Sequence, residues 1–480
     1  MFARSSPGGR PPRRHPWTRA ALASAAGAAT LLRAFARPGD LLWTPAPVAA
    51  SRLATVPGLP QTVPEAGPLS QLGAAGGLLA WCETPVAREL RASSLAAGAA
   101  RAEADEAAVP LDCTLPLHDL LWRLPAAPPA VVAAVNHRAF CLEIQERLGC
   151  ALPGARMVGS LAALDSLLAS AGSGGGVGWA GGAGTGGGGG RDGGWGGGDA
   201  AAAGAASWVV KAPLSAAGRS RAIHRHDRHD LAPAGLARPE FRRRVGNLFE
   251  RHGPLLFEPW MERTADFGAA GLALPGGVHW VGFHRQSVDA RGQFAGIEID
   301  VGAAGLAGAA GAAEMSAIDG LSPADREGWQ EALAAAAGAL GRAGYTGPFG
   351  IDAWRYRDRA GALRLQPLGE INARMTFGLV ARALVERLRE PLGLGPGDRV
   401  RLGFGRGVPA VESSAPEVVP LLLPGAGGEP AAWLEISRRL PACPGHDGAR
   451  RRKASRIEIK PSFYWTSHAR EMQNGYRLIS

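Results

Sequence analysis

Two acidic residues and a carboxamide in the last third of the chain are the strongest candidates for chemistry. Asp352, Glu370 and Asn372 lie in the segments 349–356 and 363–372, which are rich in β-branched, aromatic and long apolar residues and flank the turn sequence Asp-Arg-Ala-Gly. Successive side chains of a strand alternate between its faces, so Glu370 and Asn372 point the same way. Hard oxygen ligands of this kind suit Mg²⁺ bound together with phosphates. The sequence therefore predicts a β-hairpin that carries a divalent cation site.

The register of this hairpin decides whether the carboxylates share a face. A strict two-residue turn would pair Asp352 with Pro367 and send Glu370 to the opposite face. One additional turn residue, with Gly361 in the left-handed conformation, would pair Asp352 with Leu368 and restore the common face. The cation site therefore requires that bulge.

A lysine at the end of a predicted strand is the second candidate. Lys211 lies near the end of the apolar segment 207–213, and residues 214–221 that follow are mostly small or basic. Small residues allow a loop backbone to close over a polyphosphate, while a lysine at its base supplies a point charge. This pattern favours a phosphate-binding loop.

A predicted helix at 131–148 supplies further basic side chains. Its first part carries Asn136, His137 and Arg138, where exposed N–H groups and basic side chains can meet an anion. An ordinary polar helix start explains the same residues equally well. Both interpretations stay open at this position.

Two other groups of polar residues are interpreted as structural. Three histidines and two aspartates at 224–230 have metal-ligand chemistry, but Arg225 and Arg228 between them would repel a cation, which favours a solvated loop. Glu298 and Asp300 alternate on one predicted strand face. They would meet a substrate amine or lie on a solvated strand edge, and the strand edge is preferred.

Composition limits the classes of protein to which the chain can belong. Its 480 residues include 69 Gly and 37 Pro, which indicates folded units joined by linker. The net charge of +10 would suit nucleic acid, a membrane surface or an anionic substrate. No recognisable nucleic-acid motif and no long apolar run accompany it, so neither a nucleic-acid nor a membrane partner is expected. Five cysteines without a C-x-x-C pair predict reduced thiols and a cytoplasmic protein.

Two segments are expected to lie outside the folded core. Residues 172–198 hold 18 glycines in 27 positions, too little apolar surface to offset their ordering entropy, which predicts a flexible insertion. Residues 1–37 place several arginines before an Ala-rich run, as in a disordered or targeting-like extension.

Taken in order, these segments resemble the ATP-grasp superfamily. The resemblance rests on the Asn-His-Arg helix start, the Val-Val-Lys-Ala-Pro strand with its small-residue loop, the connector at 256–261, and the sequences Gly-Ile-Asp and Glu-Ile-Asn-Ala-Arg at 350–352 and 370–374. It covers about residues 130–390. Glu-Ile-Asn-Ala-Arg is its most specific part.

The resemblance implies an α+β fold in which two α+β lobes enclose ATP, one lobe carrying a mobile loop and the other the hairpin. A small α/β domain at 38–129 would precede the ATP-grasp domain at 130–390. Residues 391–440 would form a C-terminal extension packed on that domain, and 441–480 a basic, disordered tail.

The resemblance also implies roles on the phosphate side of the site. Lys211 and Arg138 would contact the ATP phosphates, and the loop that contains Ser215 and Gly218 would close over them. Many members have another phosphate-binding lysine where this chain has Arg285, which would replace that lysine or bind substrate.

On the nucleoside side, Glu258 and Met261 would contact adenine through backbone groups. Asp266 would bind a ribose hydroxyl, with Glu262 as a competing candidate.

The implied metal is one or two Mg²⁺ ions, or Mn²⁺, held by Asp352, Glu370 and Asn372, while Arg374 would orient the transferred phosphate or the substrate. The implied activity is a Mg-ATP-dependent ligase that activates a carboxylate as an acyl phosphate and joins it to an amine, less often a thiol, releasing ADP and phosphate.

Other functions compatible with the resemblance are a catalytically reduced ATP-binding module that acts as a partner protein, and a carboxylase-type or phosphotransfer member. The intact Lys211 and hairpin residues argue against lost catalysis. The expected partners are small-molecule carboxylate and amine substrates, and a homodimer is left open.

Overall fold

The structure is a computed structural model, and it describes residues 18–37, 40, 42–60, 64–65, 79–81, 115–172, 207–214, 220–225, 236, 238–288, 294–302, 318, 320–358, 360–405 and 416–439. The predicted insertion beyond Gly172 and the predicted tail at 441–480 lie outside these residues, as does most of the predicted domain at 38–129. Those assignments stay predictions.

The described helices are α1 (Arg19–Ala29), α2 (Leu117–Arg123), α3 (Pro129–Val135), α4 (Arg138–Arg147), α5 (Leu161–Gly172), α6 (Pro239–His252), α7 (Pro323–Arg342) and α8 (Phe377–Leu388), with short 3₁₀ turns at Thr30–Ala34 and Ala50–Arg52. Among these helices, none is both long and apolar enough to cross a lipid bilayer.

The described strands are β1 (Leu42–Trp43), β2 (Pro64–Glu65), β3 (Arg156–Val158), β4 (Trp208–Lys211), β5 (Arg221–His224), β6 (Leu255–Pro259), β7 (Glu262–Leu274), β8 (Gly277–Val288), β9 (Phe294–Asp300), β10 (Gly347–Arg357), β11 (Leu363–Asn372), β12 (Arg399–Gly405), β13 (Glu417–Leu422) and β14 (Ala431–Ser437).

These strands form two antiparallel sheets and one short parallel pair. The smaller sheet has the order β3-β6-β4-β5, the larger has the order β11-β10-β7-β8-β9-β12-β14-β13, and β1 pairs with β2. Each of the two larger sheets carries its own helices, so the predicted α+β fold with two α+β lobes is confirmed.

The smaller sheet is held by an apolar layer beneath α5 and α6. All four residues of β4 are buried, and Trp208 and Val210 belong to the cluster that includes Leu164 of α5 and Val245 of α6. Because β4 is packed in this way, Lys211 at its end is held in a fixed position, and the following loop begins directly after it.

One face of the larger sheet packs against α7. This helix begins at Pro323 after a Ser322 cap whose side chain accepts from Asp325 N. Its Trp329 is fully buried. The Trp329 ring centroid lies 5.9 Å from that of Phe267 in β7 and 5.3 Å from that of Phe283 in β8. Aromatic packing therefore anchors β7 and β8 on this side.

The opposite face packs against α8 and against residues that the sequence assigned to an N-terminal extension. Phe35 is fully buried in the same cluster as α8, and Arg387 Nη1 donates to Ala36 O at 2.6 Å. For residues 18–37 the predicted extension is therefore wrong, because their apolar side chains complete this core.

Residues after the predicted ATP-grasp domain continue the larger sheet. β12 pairs with β9 and with β14, so the segment 399–437 adds three strands to the sheet that contains the hairpin. This segment is thus part of the sheet and does more than pack on its surface.

Candidate active site

The hairpin of β10 and β11 brings the predicted metal ligands together. Asp352 lies directly opposite Glu370, and Asn372 follows on the same face of β11. Asn372 Nδ2 donates to Asp352 Oδ2 at 3.0 Å, and Gln286 Nε2 of β8 donates to Asp352 Oδ1 at 2.7 Å. The three predicted ligands form one cluster, supported from the side by Gln286.

The register of the hairpin differs from the predicted one. Gly361 has φ +81° in the turn, as predicted. A second irregularity then lies between Asp352 and Trp354, where Trp354 pairs with Gln366 and Asp352 pairs with Glu370. The predicted pairing of Asp352 with residue 368 is therefore wrong, because β11 accommodates two more residues than β10 in this interval.

The extra residues in β11 require a glycine. A Cβ atom added to Gly369 would lie 1.8 Å from the Trp354 ring, which packs directly on the backbone there. Pro367, at the start of the same interval, has no N–H to leave unpaired where the ladder is interrupted. Local sequence thus permits the irregularity that places Glu370 opposite Asp352.

Arg138 connects the hairpin to the smaller sheet. The predicted single helix at 131–148 is broken at residues 136 and 137, and α4 begins at Arg138 after His137 accepts from Ala139 N. The Arg138 guanidinium lies 3.2 Å from Glu370 Oε1, and its Nε donates to Ala212 O at 3.0 Å. The arginine therefore contacts both walls of the site.

Lys211 forms a buried ion pair on the other wall. Its Nζ contacts Glu258 Oε2, and both side chains are almost fully enclosed. Burial lowers the pKa of Lys211, and the charge of Glu258 acts against this effect. The Lys211 Nζ also lies 5.9 Å from the Trp354 ring centroid, so the lysine is next to the hairpin.

A cleft lies where the smaller sheet meets the hairpin. It is lined by residues of the α3–α4 junction, α4, β6 and β11, namely Asn136, His137, Arg138, Cys141, Leu142, Gln145, Leu256, Glu258, Gly369, Glu370 and Ile371. Carboxylates and a guanidinium thus meet in a concave site next to the buried lysine.

The electrostatics of the hairpin favour an added positive charge. Burial and the charge of Glu370 raise the pKa of Asp352 to about 6, against the opposing effects of Gln286, Arg374 and Asn372. Two carboxylates that lie directly opposite each other on paired strands repel, and a cation between them would remove that repulsion.

The donor set can be tested for its fit to Mg²⁺. No group of three or more His, Cys, Asp or Glu side chains suited to a metal occurs among the described residues. Two carboxylates and a carboxamide nevertheless match the few protein ligands that Mg²⁺ takes alongside phosphates and water. Asn372 Oδ1 accepts from Arg374 Nη2 at 2.6 Å, so the amide would have to rotate to present its oxygen to a cation.

The other predicted nucleotide contacts lie around this cleft. Asp266 faces the same side of the sheet as Asp352 and pairs with Arg263 at 2.8 Å, whereas Glu262 is exposed. Met261 is half-buried at the connector between β6 and β7. The predicted loop residues Ser215 and Gly218 lie outside the described residues.

Arg285 does not face the cleft, contrary to prediction. It pairs with Phe267, which packs beneath α7, whereas its neighbour Gln286 points to Asp352 on the opposite face. Arg285 Nη1 lies 3.5 Å from Glu298 Oε1. Strand alternation is the reason, since adjacent residues of a strand point to opposite faces.

The two polar groups interpreted as structural have different outcomes. His224 packs on Trp208 with ring centroids 5.3 Å apart, while the rest of the histidine cluster, at 226–230, lies outside the described residues. Glu298 and Asp300 pair with Arg399 at 3.4 Å and 2.8 Å. Their strand lies between β8 and β12, so the predicted strand edge is wrong.

Sequence reasoning missed Gln286, Asn136 and Gln145 as residues of the site. Asn136 was noticed only as a neighbour of Arg138, and Gln145 was not singled out at all. Each reaches the hairpin through pairings between distant segments. No local signal in the sequence reports such contacts.

The fold and the cleft together agree with the arrangement expected from the sequence. A small antiparallel sheet with a lysine at the end of a strand faces an acidic hairpin of a larger antiparallel sheet, and helices cover both sheets. This is the two-lobed arrangement that the resemblance to the ATP-grasp superfamily implies.

No protein-family model matches the chain, and no curated protein matches it. Among solved structures, an N5-carboxyaminoimidazole synthetase from Staphylococcus aureus complexed with ADP is 8% identical, with 56% of each chain covered and a TM-score of 0.32. A biotin carboxylase β,γ-ATP complex from Campylobacter jejuni is 10% identical, with 64% of each chain covered and a TM-score of 0.39. An L-amino acid ligase from Bacillus licheniformis is 14% identical, with 65% of this chain and 69% of that chain covered and a TM-score of 0.34. The chain thus spans less than two thirds of the first two structures.

Proposed function

We propose that the chain is an ATP-grasp ligase that activates a small-molecule carboxylate with Mg-ATP and joins it to an amine. The observation that carries the proposal is the cleft lined by Arg138, Glu258 and Glu370. Lys211 adjoins it through its ion pair with Glu258, and Asp352 adjoins it as the cross-strand partner of Glu370. Cationic side chains on one wall suit the phosphates of a nucleotide, and paired carboxylates on the other suit their metal ion.

Lys211 and Arg138 are the proposed phosphate ligands. Each is paired with a carboxylate, Lys211 with Glu258 and Arg138 with Glu370. Polyphosphate oxygens would compete for these cations with charge-assisted hydrogen bonds of the same kind. Arg138 would then release Glu370 for the metal.

The metal is proposed to be Mg²⁺, held by Asp352, Glu370 and Asn372, and when bound it supplies positive charge that offsets the charge of the phosphates. Arg374 lies beside this set through its contact with Asn372, in a position to orient the transferred phosphoryl group or the substrate.

The nucleoside is proposed to lie near the connector after β6. Glu258 and Met261 would contact adenine through the backbone, and Asp266 would bind a ribose hydroxyl after leaving Arg263. Trp354 of the hairpin lies next to these residues, because it pairs with Asp266 and has the Arg263 guanidinium 3.8 Å from its ring centroid.

The proposed reaction has two steps. A substrate carboxylate oxygen forms a bond to the γ-phosphorus as the bond from that phosphorus to the β,γ-bridging oxygen breaks, giving an acyl phosphate and ADP. The amine nitrogen then attacks the acyl carbon, the bond to the phosphate oxygen breaks, and the amine loses a proton. The side chains act by position and charge, and no covalent protein intermediate is needed.

The test is turnover by the pure chain with Mg-ATP and paired pools of carboxylic acids and amines. ADP and phosphate that appear only when an acid and an amine are both present would support the proposal. AMP with pyrophosphate would contradict it, and nucleotide binding without turnover would favour a catalytically reduced ATP-binding module.

The matched variants are Glu370→Gln and Glu435→Gln. Both carboxylates pair with an arginine, Glu370 with Arg138 and Glu435 with Arg401, but only Glu370 lies in the cleft. We expect Glu370→Gln to abolish metal-dependent turnover and Glu435→Gln to retain it. Retained turnover in Glu370→Gln would refute the assigned site.

A further inference from the structure

Two side chains from α3 and α4 hold β11 on either side of the proposed metal ligands. Asn136, at the end of α3, accepts from Ala373 N at 2.9 Å through Oδ1 and donates to Ala373 O at 3.1 Å through Nδ2. Gln145 of α4 donates to Leu368 O at 2.6 Å. The contacts lie just before Glu370 and just after Asn372.

The contact from Gln145 falls on the irregular part of β11. Leu368 is one of the residues that β11 inserts opposite Ala353, and its carbonyl also accepts from Gln366 Nε2 at 2.8 Å. A carbonyl in an interrupted ladder needs hydrogen-bond donors from outside the regular pairing. The buried Gln145 provides one of these donors and so holds this segment of β11 in place beside the cleft.

The contact from Asn136 falls where β11 ends. Ala373 is the first residue after the strand, and its N–H and C=O both bond to one carboxamide, as they would to a neighbouring strand. The Asn136 amide also donates to Val132 O at 2.8 Å, which ties it to its own helix. The backbone that carries the Asn372 side chain is thereby held in one position.

We infer that Asn136 and Gln145 are positioning residues for the metal ligands of β11. They hold the backbone so that Glu370 and Asn372 face Asp352, and they do not bind the cation themselves. Because α4 begins at Arg138, the same helix also orients the guanidinium that reaches Glu370. This inference rests on the proposed function, since it assumes that the cluster binds a divalent cation.

The experiment measures Mn²⁺ binding by electron paramagnetic resonance, in the presence of β,γ-methylene-ATP, for the wild type, Asn136→Leu and Gln145→Met. Loss of a residue that orients a metal ligand weakens metal affinity by about 10- to 100-fold. We expect a weakening in that range for each variant. Affinity for the analogue without metal, measured by calorimetry, should stay close to wild type.

The control is Tyr345→Phe. Tyr345 OH donates to Pro348 O at 2.6 Å, so this variant also removes a bond from a side chain to the backbone near the hairpin, but at the end of β10 distant from Asp352. It should bind Mn²⁺ like the wild type. A merely structural role for Asn136 and Gln145 would lower the stability of Asn136→Leu and Gln145→Met without a selective loss of Mn²⁺ affinity.

The outcomes separate the inference from the proposed function. Wild-type Mn²⁺ affinity in folded Asn136→Leu or Gln145→Met overturns the inference alone. A wild-type chain that binds the analogue but no Mn²⁺ overturns the metal site and the inference with it. If Asn136→Leu does not fold, the milder Gln145→Met, which keeps side-chain length, decides the result.

Discussion

A buried histidine next to the acidic hairpin gives the chain a testable dependence of stability on pH. The His284 ring lies against Gly268 of β7 and Gly378 of α8, where an added Cβ atom would approach it to 2.2 Å at either position. Its Nδ1 has no hydrogen-bond partner among the described residues. Burial and the charge of Arg382 lower the pKa of His284 to about 3. The imidazole is therefore neutral in the folded chain at physiological pH.

The direction of the pH dependence of stability follows from the pKa of His284 in the folded and in the unfolded chain. The unfolded chain binds the proton near its ordinary pKa of about 6.5, well above the folded value, so unfolding takes up a proton below pH 6.5. Stability is lost as the pH falls from about 6.5 towards about 3. With these values the loss between pH 8 and pH 5 is about 2 kcal/mol, because each pKa unit corresponds to about 1.4 kcal/mol.

The assay is urea unfolding of the wild type and His284→Gln from pH 8 to pH 5. Glutamine does not titrate, so the variant should lose about 2 kcal/mol less than the wild type over this range. Other groups, including Asp352 with its raised pKa, contribute to both proteins and cancel in the comparison. Parallel pH profiles for the two proteins would refute a neutral, buried His284.

Two further predictions concern the walls of the cleft. Gly369→Ala should lower the free energy of unfolding by about 1–3 kcal/mol, because the new Cβ would overlap the Trp354 ring. Gly405→Ala is the control and should leave it unchanged, because no atom lies within 4 Å of the new Cβ. Urea unfolding compares the two variants. Lys211→Met should lower the free energy of unfolding by about 3–5 kcal/mol, because it leaves Glu258 buried without its partner. The double variant with Glu258→Gln should be more stable than Lys211→Met alone, and strictly additive free energies in that cycle would contradict the ion pair.

Local patterns were sufficient for the elements that carry the main candidates. The strand that ends at Lys211 was predicted from an apolar run and is confirmed. The capped helix at Pro323 follows from a local Ser-Pro start. The hairpin followed from two apolar runs around a turn with Gly361. In each case the information lies within about ten residues, which is the range over which propensity and turn chemistry act.

Long-range contacts decided what the sequence did not reveal. Residues 18–37 are Ala-rich with weak periodicity, and only the surface of α8 and the added strands makes Phe35 a core residue. Arg285 was assigned to the site because it stands where many members of the superfamily that the chain resembles have a phosphate-binding lysine. The pairing of β8 with β7, which is invisible in the sequence, sends Arg285 to the far face and Gln286 to Asp352.

The hairpin shows why the face of a side chain is easier to predict than its register. The requirement that Asp352 and Glu370 share a face excludes every register that differs from the observed one by an odd number of residues, because side chains alternate with a period of two. It permits every register that differs by an even number. The turn at Gly361 established the correct face, and the two extra residues before Glu370 changed the register without changing that face. The chemistry of a site can therefore select the face from sequence, whereas the register depends on Gly369 beneath Trp354 and on the contact from Gln145.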